Sequence, residues 1–185
     1  VGDTIRTFVA VELPAAHRLL LVDHLRECAR AAPGYRWVTP EMLHLTLRFL
    51  GSLEPAELDR VRARLRDVRR PAFRLGLDGR GVFGRRAAPR VLWLDVAEGR
   101  DTCASLAAAV EDACRSAGVP PEDRAFRAHV TLGRQRTEGE RLPPLPDAPA
   151  LAPWTVRDFV LYESRLYEEP RYVPLDRYPL LPAAG

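Results

Sequence analysis

His44-Leu45-Thr46-Leu47 and His129-Val130-Thr131-Leu132 are one phrase written twice, 85 residues apart. Each lies in a run that reads as a strand, MLHLTLRFL over 42–50 and FRAHVTLGR over 126–134. Residues i and i+2 of a strand share a face. His44 therefore projects with Thr46 and His129 with Thr131, while Leu45 and Val130 point into a core. The same shift of 85 carries residues 7–12 onto 92–97, inside two further runs rich in β-formers, TFVAVEL and VLWLDVA. Two features in one register argue for a duplicated β-α-β unit. The expected result is two similar lobes facing each other, with one His-x-Thr strand in each.

The intervening segments fit that plan. Leu21, Leu25, Cys28, Ala29 and Ala32 follow Pro14 at helical spacing and stop at Pro33-Gly34. Pro55 opens a second helix with Leu58, Val61, Leu65 and Val68 as its buried stripe, its arginines forming the solvated face. Residues 72–83 read as a strand broken by glycines. Asp101 is placed to cap a helix marked by Leu106, Ala109, Val110, Ala113 and Ala117, which ends at Gly118 and Pro120-Pro121. The proline-rich segment 143–153 is an extended connector. Two last strands fit 155–164 and 171–178. His17 and His24, on the first helix, read as surface residues without a role.

With 185 residues, 46% apolar and 29% charged, the chain reads as a single two-lobed domain spanning residues 1–185, with enough length to build a core unaided. No apolar run is long enough for a membrane span, and the start lacks a leader pattern, so the expected setting is cytoplasmic. Cys28, Cys103 and Cys114 form no C-x-x-C pair and read as buried free thiols. The net charge of +3 is too small to argue for nucleic acid. All the basic residues are arginine, which fits a GC-rich genome as well as phosphate recognition.

Two imidazoles across one cleft make an acid–base pair at neutral pH. One can take a proton from attacking water and the other can give one to a leaving oxygen, while the threonine hydroxyls donate to non-bridging phosphate oxygens. The arrangement suits in-line displacement at phosphorus. A lone His-x-Thr is more often a core histidine than a site; it is the shared register of the pair that favours chemistry. The motifs supply only two strong metal ligands, with no H-E-x-x-H or clustered carboxylates, so neither metal nor cofactor is expected. Strand parity also puts Arg48 on the face of His44 and Thr46. Tyr35, Trp37 and Phe126 are candidates either for stacking on a base or for ordinary packing.

These residues resemble the 2H phosphoesterase superfamily, and within it the RNA 2′,3′-cyclic phosphodiesterase (2′-5′ RNA ligase) family. The similarity runs from Phe8-Val9-Ala10-Val11-Glu12-Leu13-Pro14 through His44 to Gly51, Pro89 to Leu94 and His129 to Arg134, to Phe159-Val160-Leu161-Tyr162-Glu163-Ser164. It implies an α+β, pseudo-symmetric bilobal fold with antiparallel sheets lining a central cleft and helices packed outside. It implies hydrolysis of a 2′,3′-cyclic phosphate to a 2′-phosphate on RNA ends or cyclic nucleotides, with reversible 2′-5′ ligation as an accompanying activity. A monomer is the default expectation. His44 would be the general acid and His129 the general base. Thr46 and Thr131 would hold phosphate oxygens, and Arg134 would neutralise phosphate charge. Arg134 is out of parity with His129, so it must lie at a strand end or beyond a bulge; Arg48 ranks behind it as a substrate contact. Arg127-Ala128 stand where the family often has an aromatic-proline pair. The rival reading is a non-catalytic module that binds a nucleotide or phosphorylated ligand in the same cleft. A further one is hydrolysis of another cyclic phosphate or a 2′-5′ linkage.

Overall fold

Proline is welcome at a helix start, because the first N–H groups have no intrahelical acceptor. Pro55 begins one helix and Pro14 stands immediately before another. The computed structural model describes residues 4–165 and 171–183. Its elements are β1 (Ile5–Glu12), α1 (Ala15–Ala31), β2 (Tyr35–Trp37), a 3-10 turn (Pro40–Met42), β3 (His44–Leu53), α2 (Pro55–Leu65), β4 (Phe73–Arg85), β5 (Ala88–Glu98), α3 (Arg100–Ser116), β6 (His129–Gln135), β7 (Trp154–Val156), β8 (Asp158–Arg165) and β9 (Arg171–Pro179). No element forms over the prolines of 143–153.

The strands join in one antiparallel sheet of order β7-β4-β5-β6-β3-β1-β8-β9, with β2 on β6 beyond the end of β3. The α+β class, the antiparallel pairing and the outer helices are as expected. The sheet is continuous, however. Its two wings meet where β3 touches β6 through the pair Leu45 and Val130.

Each wing draws on both halves of the sequence. β8 and β9, from the end of the chain, complete the wing of β1 and β3. The helices cross over as well. α1 follows β1 yet packs toward the other wing, where His17 reaches the Ala152 carbonyl at 2.6 Å and lies 5.0 Å from the Trp154 ring. α3 follows β5 yet backs β3, through an ion pair between Arg48 and Glu111. The main core lies between the helices and this face of the sheet, and includes Leu45, Val130, Leu106 and Val110.

Local details correct several expectations. Gly99, at φ +80°, caps α3, and Asp101 lies within the first turn, where its charge favours the helix dipole. Gly118, at φ +95°, ends α3 in a Schellman motif: Val119 N–H donates to the Cys114 carbonyl and Gly118 N–H to that of Arg115. His17 and His24 are buried rather than on the surface, because they share the inward stripe of α1 with Leu21, Leu25 and Cys28. Leu19 and Leu20 are the exposed ones. Tyr35 and Trp37 also belong to packing. The Tyr35 hydroxyl donates to the Pro89 carbonyl and the Trp37 indole N–H to that of Ala32. Cys28, Cys103 and Cys114 are buried free thiols.

Candidate active site

The four motif side chains meet at the join between the wings. Leu45 and Val130 face the helices and lock the two strands together. The antiparallel register through that pair sets His44 opposite Thr131 and Thr46 opposite His129 on the other face. The two histidines are then diagonal neighbours, a relation that places residues about 7–8 Å apart in a regular ladder. Both carry the same burial alternation, with histidine and threonine half-buried and the residues between them fully buried.

A bulge follows each motif. Thr46 pairs with Ala10 and Arg48 with Val9, so Leu47 is an extra residue. Thr131 pairs with Trp93 and Gly133 with Leu92, so Leu132 is its counterpart. An extra residue reverses the parity of everything after it. Arg134 thereby comes to the cleft face, and its charge acts on both imidazoles. Arg48 is turned away, which corrects the expectation from simple alternation. It is only 7% exposed, forms ion pairs with Glu111 and Glu122, and donates to the carbonyls of Phe49 and Pro120. Phe49, the first-half counterpart of Arg134, stands 50% exposed with its ring 5.9 Å from that of Phe8.

Each imidazole is oriented by a backbone carbonyl two residues upstream. His44 Nδ1–H donates to Met42 and His129 Nδ1–H to Arg127, both at 2.7 Å. A carbonyl can only accept, so the proton is assigned to Nδ1 and the Nε2 lone pair is left facing the cleft. The Thr46 hydroxyl donates to His44 Nε2 at 2.9 Å. Aromatic rings brace each imidazole. Phe8 and Tyr172 lie 4.9 and 5.0 Å from His44, and Phe83 and Trp93 lie 5.0 and 5.8 Å from His129. None of these four rings is marked out by sequence pattern as a brace, although all four lie on strands that the alternation predicts. Tyr35, Trp37 and Phe126, which did stand out, brace neither ring.

The electrostatics separate the two histidines. Burial is the main cause that holds His44 down to about 4, and the charges of His129 and Arg134 add to it. Burial also lowers His129, as do Arg134 and Arg127, but the bond to the Arg127 carbonyl and the nearby Asp95 carboxylate oppose them. Both rings are thus neutral near pH 7. A carboxylate stands opposite each on the neighbouring strand, Glu12 to His44 and Asp95 to His129. Glu12 is taken up by the Tyr162 hydroxyl and by Arg177, both at 2.5 Å. Asp95 pairs with Arg100 at 3.1 Å. The Arg127 guanidinium stacks over Trp93 at 4.4 Å. Among the described residues, no three His, Cys, Asp or Glu side chains gather as metal ligands would.

Known proteins share this frame. The model of the LigT like Phosphoesterase family matches residues 14–93 and again 94–172. An RNA 2′,3′-cyclic phosphodiesterase of Thermus thermophilus is 34% identical over 184 residues, covering 95% of this chain and 90% of its own. One of Geobacillus stearothermophilus is 31% identical over 183 residues, and the chain spans 57% of that relative's length. The crystal structure of E. coli LigT in apo form superposes with a TM-score of 0.79 at 30% identity, covering 97% of this chain and 99% of that one; LigT has also been solved complexed with 3′-AMP. A doubled family match over two His-x-Thr strands, and relatives of this identity over most of the sequence, have one reading: the chain belongs to the LigT-like phosphoesterase family.

Proposed function

We propose that this protein hydrolyses the 2′,3′-cyclic phosphate at an RNA end to a 2′-phosphate, by acid–base catalysis between His44 and His129. The observation that carries the reading is the diagonal pair of imidazoles, each with Nδ1 tied to a carbonyl and Nε2 on the cleft side, that of His44 accepting from Thr46. The activity named for the relatives supports it.

The phosphate lies between the two rings, with its non-bridging oxygens on the hydroxyls of Thr46 and Thr131 and on the Arg134 guanidinium. A water oxygen attacks phosphorus, and His129 Nε2 takes its proton. The bond from phosphorus to the 3′ oxygen breaks in line, and that oxygen receives the proton of His44 Nε2–H. The family resemblance assigns the acid to His44. Its burial favours the neutral form near pH 7; the negative phosphate raises its proton affinity on binding, and the proton so held is readily given up. A 5′-hydroxyl in place of water would give a 2′-5′ linkage by the same proton movements. The step needs no Lewis acid, since Arg134 and the two hydroxyls face the charge that develops.

The test is product analysis on a cyclic-ended RNA with excess chelator present. The expected product is the 2′-phosphate, at a rate the chelator leaves unchanged. A 3′-phosphate would reverse the polarity of the site, and a lost rate restored by a divalent ion would replace the mechanism. Tight binding of the cyclic-ended RNA without turnover would leave a binding module.

A further inference from the structure

The short strand β2 adds something the two motifs do not. Tyr35, Arg36 and Trp37 pair with Gln135, Arg134 and Gly133 of β6. Tyr35 and Trp37 turn toward the helices, and Trp37 lies where a side chain on Gly133 would go. Alternation sends Arg36 the other way, onto the cleft face beside Arg134. Both are exposed. Like charges directly opposite on a ladder repel, and among the described residues neither has a carboxylate within ion-pair distance. Arg6, at the start of β1, is exposed as well. The charges of Arg134, Arg36 and Arg6 all act on the phenol of Tyr172, the ring that braces His44. One basic rim therefore borders the first histidine, and it carries more guanidinium than a single phosphate needs.

We propose that Arg36 holds the phosphodiester next to the cyclic end, so that the cleft selects an RNA strand over a cyclic mononucleotide. The proposal rests on the hydrolytic reading above. Arg134 belongs to the phosphate under attack. Its cross-strand neighbour is then placed for the next anion along the same backbone, and the bound strand relieves the repulsion between the two. A contact of this kind tracks the backbone without reading a base.

The experiment compares kcat/KM for a 2′,3′-cyclic mononucleotide and for a short RNA ending in the same nucleotide. The unaltered protein, Arg36→Gln and Arg36→Lys are each measured at two salt concentrations. The unaltered protein is expected to prefer the RNA. Arg36→Gln should lower that preference about tenfold, the size of one lost charge-assisted hydrogen bond. Its salt slope for RNA should flatten by about 0.7, the increment for one phosphate of a single strand. Arg36→Lys should restore most of both. A glutamine variant that changes the two substrates by one common factor, or changes neither, overturns the proposal. Equilibrium binding of a 2′-phosphate-ended RNA and the matching 2′-mononucleotide is measured alongside. If the unaltered protein turns nothing over, the hydrolytic reading falls, and Arg36 is judged by that affinity ratio instead.

Discussion

The two wings carry the same strand, the same bulge and the same imidazole anchor, but they spend the residues after the bulge differently. In the first wing Arg48 goes down to the helices and Phe49 up to the cleft. In the second Gly133 leaves room for Trp37, and Arg134 goes up. One repeat thus supplies an internal tie and an aromatic surface, and the other supplies the cation. The imidazoles divide similarly. His44 is more deeply enclosed, with its facing Glu12 committed to Tyr162 and Arg177. The field of Asp95 reaches His129. A duplicated frame can therefore hold two histidines in matching geometry and still give them different proton affinities.

The widest test of this division removes each ring in turn. His44→Ala and His129→Ala should each lower kcat by about 10³-fold or more, the scale of general acid–base catalysis, with circular dichroism showing the fold intact. Full turnover in either variant would end the two-histidine reading. Arg48→Ala should act on stability. It leaves Glu111, itself 24% exposed, without its cation, a loss at or below the ~3 kcal/mol lower end for a broken buried pair, read as an earlier denaturant midpoint. A drop in kcat with unchanged stability would instead return Arg48 to the cleft. Arg134→Gln should lower kcat/KM about 10²-fold with a normal midpoint. Phe49→Ala, at the matching position of the other wing, should stay within about threefold, as expected for a half-exposed ring outside the chemistry; an equal loss at both positions would erase the contrast between them.

The smallest effect expected is the pH dependence of folding. Both imidazoles bind protons less well folded than unfolded. The unfolded chain therefore takes up more protons as pH falls below about 6.5, the ordinary histidine value. Stability is full above that point and is lost as pH drops toward the value of about 4 held by His44. Melting temperatures between pH 7.5 and 4.5 should show this slope. His44→Gln should flatten it more than His129→Gln, and equal flattening would mean that the two rings are equally enclosed.

Much of the architecture was legible in the chain. Alternation around His44 and His129 placed their strands. The spacing of 85 exposed the duplication. Pro55 and Gly118 marked a helix start and a helix end where the structure has them. The odd spacing of Arg134 from His129 calls for a strand end or a bulge, and the structure has the bulge, at Leu132. Simple alternation does not reveal the matching bulge at Leu47, which turns Arg48 off the face of His44. His17 and His24 read as polar surface residues, yet their place on the inward stripe of α1 buries them.

Local order along the chain is enough to set which side chains of each motif share a face, since side-chain alternation along a strand depends only on neighbouring residues. The tertiary structure decided which strands complete each wing, which helix backs which strands, and which rings and charges surround each imidazole. Those depend on pairings between residues far apart in the chain, such as Leu45 with Val130, Arg48 with Glu111 and Tyr172 with His44. Burial and nearby charge set the proton affinity of a histidine, and both arise only when distant segments close around it.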